Sequence, residues 1–285
     1  MKKKLKRTGS YFLLVIILWF ILAQLFFRYR MSDKTAMLVF KKTHTDLRIS
    51  DIGTGSNKIH FAVSGNDTLP TLYFLHGSPG SWSHYFKYML DKDMRKKYRM
   101  VGIDRPGFGY SNFWEAADLK RQAGMITPLF KELYNGKPVY LAGHSLGAPL
   151  ALKLAVDNPS FFHCVVLLSG SIDPDQEQEE KWRKLMGGKP LCYLLPGSFR
   201  PSNTEILFLK NDLKALSVVL DKIKTHVVFI HGDKDTWVPI ENIAFGKKVM
   251  TNAKSIYSDT LYGAGHQIPW ERFDEVKKAL LNLPY

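Results

Sequence analysis

A nine-residue stretch, Val139-Tyr140-Leu141-Ala142-Gly143-His144-Ser145-Leu146-Gly147, constrains this chain more than any other. It opens as the apolar run that a buried central strand needs, then breaks at Gly143-His144-Ser145-Leu146-Gly147. From Ala148 to Ala155 apolar residues recur at helical spacing. A Gly-x-Ser-x-Gly pentapeptide between a strand and a helix reads as a nucleophile elbow. Such a turn forces the serine into a strained backbone conformation. The residues two positions away must lack side chains so that strand and helix can approach. The Ser145 hydroxyl would then stand above the sheet edge, where N–H groups at the helix start favour negative charge.

The remaining chain alternates between strand and helix patterns. An antiparallel pair is expected within residues 46–65, with Gly53-Thr54-Gly55-Ser56-Asn57 as its turn. Thr71–Leu75 is a buried-type strand running into His76-Gly77-Ser78-Pro79-Gly80. Arg99–Ile103 is another, ending in Asp104-Arg105-Pro106-Gly107-Phe108-Gly109-Tyr110-Ser111. A helical pattern over Leu119–Leu133 leads into the Ser145 strand, and Cys164–Leu168 and 227–230 read as further strands. Strands apolar on both faces and separated by helices specify an α/β fold with a mostly parallel central sheet flanked by helices. Function in such sheets gathers at the carboxyl ends of the strands, where each of these motifs lies.

One segment leaves this rhythm. Residues 172–211 are first acidic (Asp173, Asp175, Glu177, Glu179, Glu180), then carry Pro190, Pro196, Pro201 and several aromatic residues without a strand period. A loop this long is expected to be functional, and it reads as a small lid insertion over the site.

The formal net charge of +14 is unevenly placed. Residues 1–42 hold ten Lys and Arg against one acid, Asp33, so +9 belongs to the amino terminus and +5 to everything after it. A nucleic-acid footprint is therefore not expected. Residues 1–10 form a basic cytoplasmic segment, and 11–27 an apolar run with Gln24 as its only strongly polar residue. As a helix that run spans roughly 25 Å, close to the hydrocarbon thickness once residues 8–10 are added. The excess of Lys and Arg before it predicts a transmembrane signal anchor. The amino terminus would be cytoplasmic, and the bulk of the chain extracytoplasmic, periplasmic or lumenal. A cleaved signal peptide competes, but the apolar run is long for one and no small-residue cleavage site precedes Arg28. Residues 28–44 read as a juxtamembrane linker and 45–285 as the α/β domain. Cys164 and Cys192 suggest no disulfide framework.

A serine needs a base to take its proton and an acid to orient that base. His266, in the Gly-rich loop Tyr262-Gly263-Ala264-Gly265-His266-Gln267, is the expected base. Asp235, in His231-Gly232-Asp233-Lys234-Asp235 after strand 227–230, is the expected acid; Asp233 and Asp173 are its rivals. The order Ser, Asp, His is the one that accompanies an elbow. The N–H groups of Leu146 and Ser78 are the candidate oxyanion donors. His144 and His76 read as packing and hydrogen-bonding residues, and the Asp104–Gly109 loop as shaping the site. Trp82, Trp237, Ile268 and Trp270, with lid aromatics, are the expected apolar substrate pocket. No metal or organic cofactor is implied, because no ligand cluster has metal spacing.

Together these motifs resemble the α/β-hydrolase fold superfamily over roughly residues 45–285. The resemblance rests on His76 to Gly80, Asp104 to Ser111, the Ser145 elbow, Gly232 to Asp235 and Gly265-His266. It implies a serine hydrolase, esterase- or lipase-like, acting on carboxylic esters of hydrophobic or lipid-like character. Members that open epoxides or displace halide use an aspartate nucleophile, whereas this chain has Ser145. Proline iminopeptidases usually carry a Gln between the Asp and Arg of the second motif, whereas Asp104 and Arg105 are adjacent here. Amidase, peptidase and C–C hydrolase chemistry, and a non-catalytic membrane-tethered module, remain the alternatives. The partners expected are a small-molecule ester and a membrane, with the oligomeric state unknown.

Overall fold

A computed structural model of the chain describes residues 2–178 and 180–284. Glu179 lies outside the described residues, as do the side chains of residues 2–8. Eight strands form one sheet: β1 (Arg48–Ile52), β2 (Ile59–Ser64), β3 (Thr71–Leu75), β4 (Arg99–Ile103), β5 (Val139–His144), β6 (Cys164–Leu168), β7 (His226–Gly232) and β8 (Ser255–Leu261). Their spatial order is β1-β2-β4-β3-β5-β6-β7-β8. The pairs β1–β2 and β2–β4 are antiparallel and all later pairs are parallel.

The helices are α1 (Lys2–Phe26), α2 (Asp33–Lys42), α3 (Phe86–Leu90), α4 (Lys92–Lys97), α5 (Leu119–Leu133), α6 (Gly147–Asp157), α7 (Lys181–Gly187), α8 (Phe199–Ser217), α9 (Asn242–Val249), α10 (Ile268–Glu271) and α11 (Phe273–Leu281). Alternate side chains of each central strand enter opposite cores. On β3, Tyr73 and Leu75 pack with α5, α6 and α8, whereas Leu72 and Phe74 pack with α2, α3, α4, α10 and α11. The expected parallel sheet, covered on both faces, is what forms.

Residues 28–44 are more than a linker. α2 opens on Ser32, whose hydroxyl accepts the Thr35 N–H, and its Ala36 and Phe40, one turn apart, are buried in the second core. Such i, i+4 apolar pairing gives a short helix one buried face. The excursion after β6 also runs past residue 211, because α8 continues to Ser217 before β7 begins at His226. β8, which the apolar pattern did not reveal, is an edge strand with an exposed, largely polar middle, paired along its length with β7.

Candidate active site

The elbow is built by exclusion of volume. Ser145 sits at φ +53°, in the left-handed region that a side-chain-bearing residue rarely occupies. A Cβ on Gly143 would lie 2.2 Å from the Gly147 carbonyl oxygen, and one on Gly147 would lie 2.4 Å from that of Leu75. Only glycine fits at either position. The Ser145 N–H donates to Leu168 O at 2.9 Å, tying the turn to β6.

The loops that carry Asp235 and His266 are knitted to one another. Lys234 N–H donates to Ala264 O (2.9 Å), and the Asp233 carboxylate accepts the Gly263 N–H (2.6 Å). A Cβ on Gly232 would stand 2.2 Å from Ala264 O. His266 Nδ1 thereby comes within 2.8 Å of Asp235 Oδ2. The other carboxylate oxygen of Asp235 accepts the Trp237 and Val238 N–H groups at 3.0 and 2.9 Å. Burial alone would push the Asp235 carboxyl up. Hydrogen bonds from His231, His266 and the Val238 N–H outweigh burial and hold it far below the usual carboxylate range. Of the other two carboxylates, Asp233 accepts the Gly263 N–H at 2.6 Å and Asp173 the Asp175 N–H at 2.9 Å.

His144 holds the backbone of His266. Its Nε2–H donates to the His266 carbonyl oxygen at 3.0 Å, and burial lowers its pKa to about 3, so the ring is neutral. His76 is also buried, well below its ordinary value for that reason first and for the nearby Arg105 second. Its Nδ1–H donates to Gly77 O (2.7 Å) while Nε2 accepts the Arg105 N–H (3.0 Å).

The turn after β3 touches the elbow: a Cβ on Gly77 would sit 3.1 Å from Ser145 Cβ. Among the described residues neither the Ser78 nor the Leu146 N–H has a protein acceptor. The Ser78 hydroxyl donates to Ser202 Oγ at 2.8 Å, which ties this turn to α8.

Arg105 is the residue the sequence pattern undervalued. Its guanidinium, with no exposed surface, donates to His76 O (2.7 Å) and Gly77 O (3.0 Å). It also forms a two-pronged pair with Glu205 of α8 at 2.7 and 2.9 Å, and Gln122 bonds both partners. A single buried network thus joins the turn beside Ser145 to α8. No pattern in the sequence pairs Arg105 with a Glu a hundred positions later. Asp104 orders its own loop by accepting the Trp82 and Tyr110 N–H groups at 2.7 and 2.8 Å, and burial raises its carboxyl to about 6.

The four apolar candidates separate. Trp82 and Ile268 are fully buried in the core beneath the site, 1% and 0% exposed, and present no wall to a substrate. The Trp82 backbone is pinned under β4, where Gly102 leaves room for its Cβ. Trp237 is 72% exposed with its ring 5.2 Å from that of His266, and Trp270 lies 5.1 Å from the His144 ring, its indole N–H donating to His84 O. Trp237 thus lies against His266, and Trp270 against His144. Among the described residues no group of three or more His, Cys, Asp or Glu side chains could hold a metal ion.

A family model described as the alpha/beta hydrolase fold matches residues 70–191. The chain is similar to a probable aminopeptidase, YbaC, of Bacillus subtilis (strain 168), at 23% identity over 48% of this chain and 46% of that one. It is 30% identical to epoxide hydrolase 3 of Xenopus tropicalis over 44% of this chain and 37% of the relative. With the monoglyceride lipase homolog of monkeypox virus it shares 28% identity over 53% of its own length and 63% of the relative's. The matches thus span from about a third to just under two thirds of these relatives. Among solved structures, a membrane phospholipase A described as a bacterial virulence factor superposes with a TM-score of 0.64. That match covers 98% of this chain and 97% of the other, at 19% identity, a likeness of fold.

Proposed function

We propose that this chain, which has the α/β-hydrolase fold, is a serine hydrolase cleaving hydrophobic carboxylic esters through an acyl-enzyme. Ser145 Oγ attacks the ester carbonyl carbon as His266 Nε2 accepts the hydroxyl proton. Asp235, bonded to Nδ1, fixes the tautomer and stabilises the imidazolium. The Ser78 and Leu146 N–H groups receive the negative oxygen of the tetrahedral intermediate. Its collapse expels the alcohol, which takes the proton from His266. Water activated by the same imidazole then releases the acid and restores Ser145.

One observation carries this reading: a serine at φ +53° over the carboxyl end of the central strand β5, wedged between two glycines that no other residue could replace. Such a conformation costs about 1–3 kcal/mol, and the adjoining His144 bonds the backbone of His266, whose ring is paired with Asp235, so a strained serine here has a chemical use. Trp237 and Trp270, the apolar lid residues and the apolar helix favour an acyl chain over a polar substrate.

The helical window Gly9–Phe26 is long and apolar enough to cross a membrane, and only 6% of it is buried against the rest of the chain. We assign it as an anchor with its basic end in the cytoplasm and residues 45–285 on the other side. Turnover of p-nitrophenyl esters of graded acyl length, beside matched anilides, tests the activity. Ester cleavage rising with chain length and abolished in Ser145→Ala is expected. Preference for the anilides would replace this reading with an amidase, and no turnover by folded protein would leave a binding module.

A further inference from the structure

The polar residue inside the apolar helix has a defined use. Gln24 lies two residues before the end of α1, about 3 Å along the helix axis. Its amide nitrogen donates to Leu195 O at 3.0 Å and to Tyr193 O at 3.4 Å, and its amide oxygen accepts the Gly197 N–H at 3.0 Å. The clamp continues where the helix ends. Ser198 donates to Phe27 O through its N–H and to Arg28 O through its hydroxyl, both at 2.7 Å. A Cβ on Gly197 would stand 2.2 Å from Phe27 O, so the two backbones touch. Phe199 packs edge-on to Tyr29 and against Phe27. The lid is therefore fixed to the last turn of α1, at the level where the apolar span ends.

The lid's outward side at that level is apolar and aromatic. Tyr193 and Leu194 are about half exposed, and Trp182 and Leu185 of the neighbouring α7 more so or similarly. No residue of α7 is buried, although Asn203 of α8 holds it through Arg183 O. Lys181, Lys184 and Lys189 are exposed beside these residues, and Arg200 stacks over Tyr193. Apolar and aromatic residues flanked by cations, held beside a helix that crosses a bilayer, match the composition of an interfacial contact.

We infer that the lid segment 182–200 is a second membrane contact, bedded in the anionic headgroup boundary and held there by the Gln24 clamp. The inference rests on the anchor assignment above. Its occupant is the lipid leaflet, because the surface is continuous with a span whose exposed apolar side chains require lipid around them. With α8 also bonded to Ser78 and Arg105, the lid carries that position through to the turn beside Ser145.

The test uses the full chain in vesicles of phosphatidylcholine with a minority of phosphatidylglycerol. A Cys192→Ser background, Cys164 being buried in β6, carries one environment-sensitive fluorophore at Leu194→Cys, Leu185→Cys or Val218→Cys. Flotation with the vesicles reports the anchor, and quenching by lipids spin-labelled near the headgroup reports the lid. Flotation with severalfold stronger quenching at 194 and 185 than at 218 is expected. Gln24→Leu should still float, yet lose much of the quenching at 194. Flotation without quenching at 194 and 185 overturns the inference and leaves the anchor standing. Failure to float overturns both. Shielding of those probes from both lipid and aqueous quenchers would put a second copy of the chain there, which also overturns it.

Discussion

Replacing Glu205 by Ala should unfold this protein far more readily than any surface change. Glu205 is 2% exposed and accepts three side-chain hydrogen bonds, from both terminal nitrogens of Arg105 at 2.7 and 2.9 Å and from Gln122 at 3.2 Å. Truncation leaves a guanidinium with no exposed surface facing only neutral acceptors: His76 O, Gly77 O and Gln122 Oε1. Stranding one member of a buried pair typically costs about 3–5 kcal/mol. For a domain of this size that lowers the melting temperature by roughly 6–20 °C, at ~2–4 °C for each kcal/mol. Thermal denaturation in detergent, followed by circular dichroism, measures it. The double variant Arg105→Met/Glu205→Leu should recover much of the loss, since removing both charges removes the stranded one. A Glu205→Ala cost below about 1 kcal/mol, the range of an exposed pair, would refute the reasoning.

Three further outcomes follow from the site. His144 is neutral when folded and takes up a proton below its ordinary value when unfolded, so its contribution to stability is complete near neutral pH and shrinks on acidification. The penalty of His144→Gln in urea unfolding should therefore be about 2 kcal/mol smaller at pH 5 than at pH 7, at ~1.36 kcal/mol per pH unit below about 6.5; an equal penalty at both would contradict a buried neutral ring. Gly232→Ala forces a Cβ against Ala264 O and should part the acid and base loops, lowering kcat with little change in KM, read from steady-state ester hydrolysis. Asp235→Asn should keep the fold and lower kcat by about 10⁴, because His266 then holds the wrong tautomer; a loss under tenfold would point to another acid.

What could be read from sequence was what short-range chemistry dictates. The Ser145 elbow, the β3 and β4 turns and helix Leu119–Leu133 each declare themselves within a short stretch of chain, through glycine placement or apolar period. The edge strand β8 has no sequence signal because its middle is solvated, so its residues carry no apolar run and only pairing with β7 defines it. Residues 28–44 read as a linker because only Ala36 and Phe40 among them are buried, too few to show a period. In sequence, Trp82 and Trp237 are alike as aromatic residues after strand-end motifs. One is pinned under β4 and the other stands in solvent, a difference fixed by packing alone. The Arg105–Glu205 pair and the Gln24 clamp join residues a hundred or more positions apart, and no local pattern encodes such a meeting.

The central claim is an activated Ser145. Intact-protein and peptide mass spectrometry after a fluorophosphonate probe tests it most directly, on wild type, Ser145→Ala and His266→Ala. One covalent adduct located at Ser145 in the wild type, and none in either variant, is the predicted result. An adduct on another residue, or labelling that survives Ser145→Ala, would contradict it.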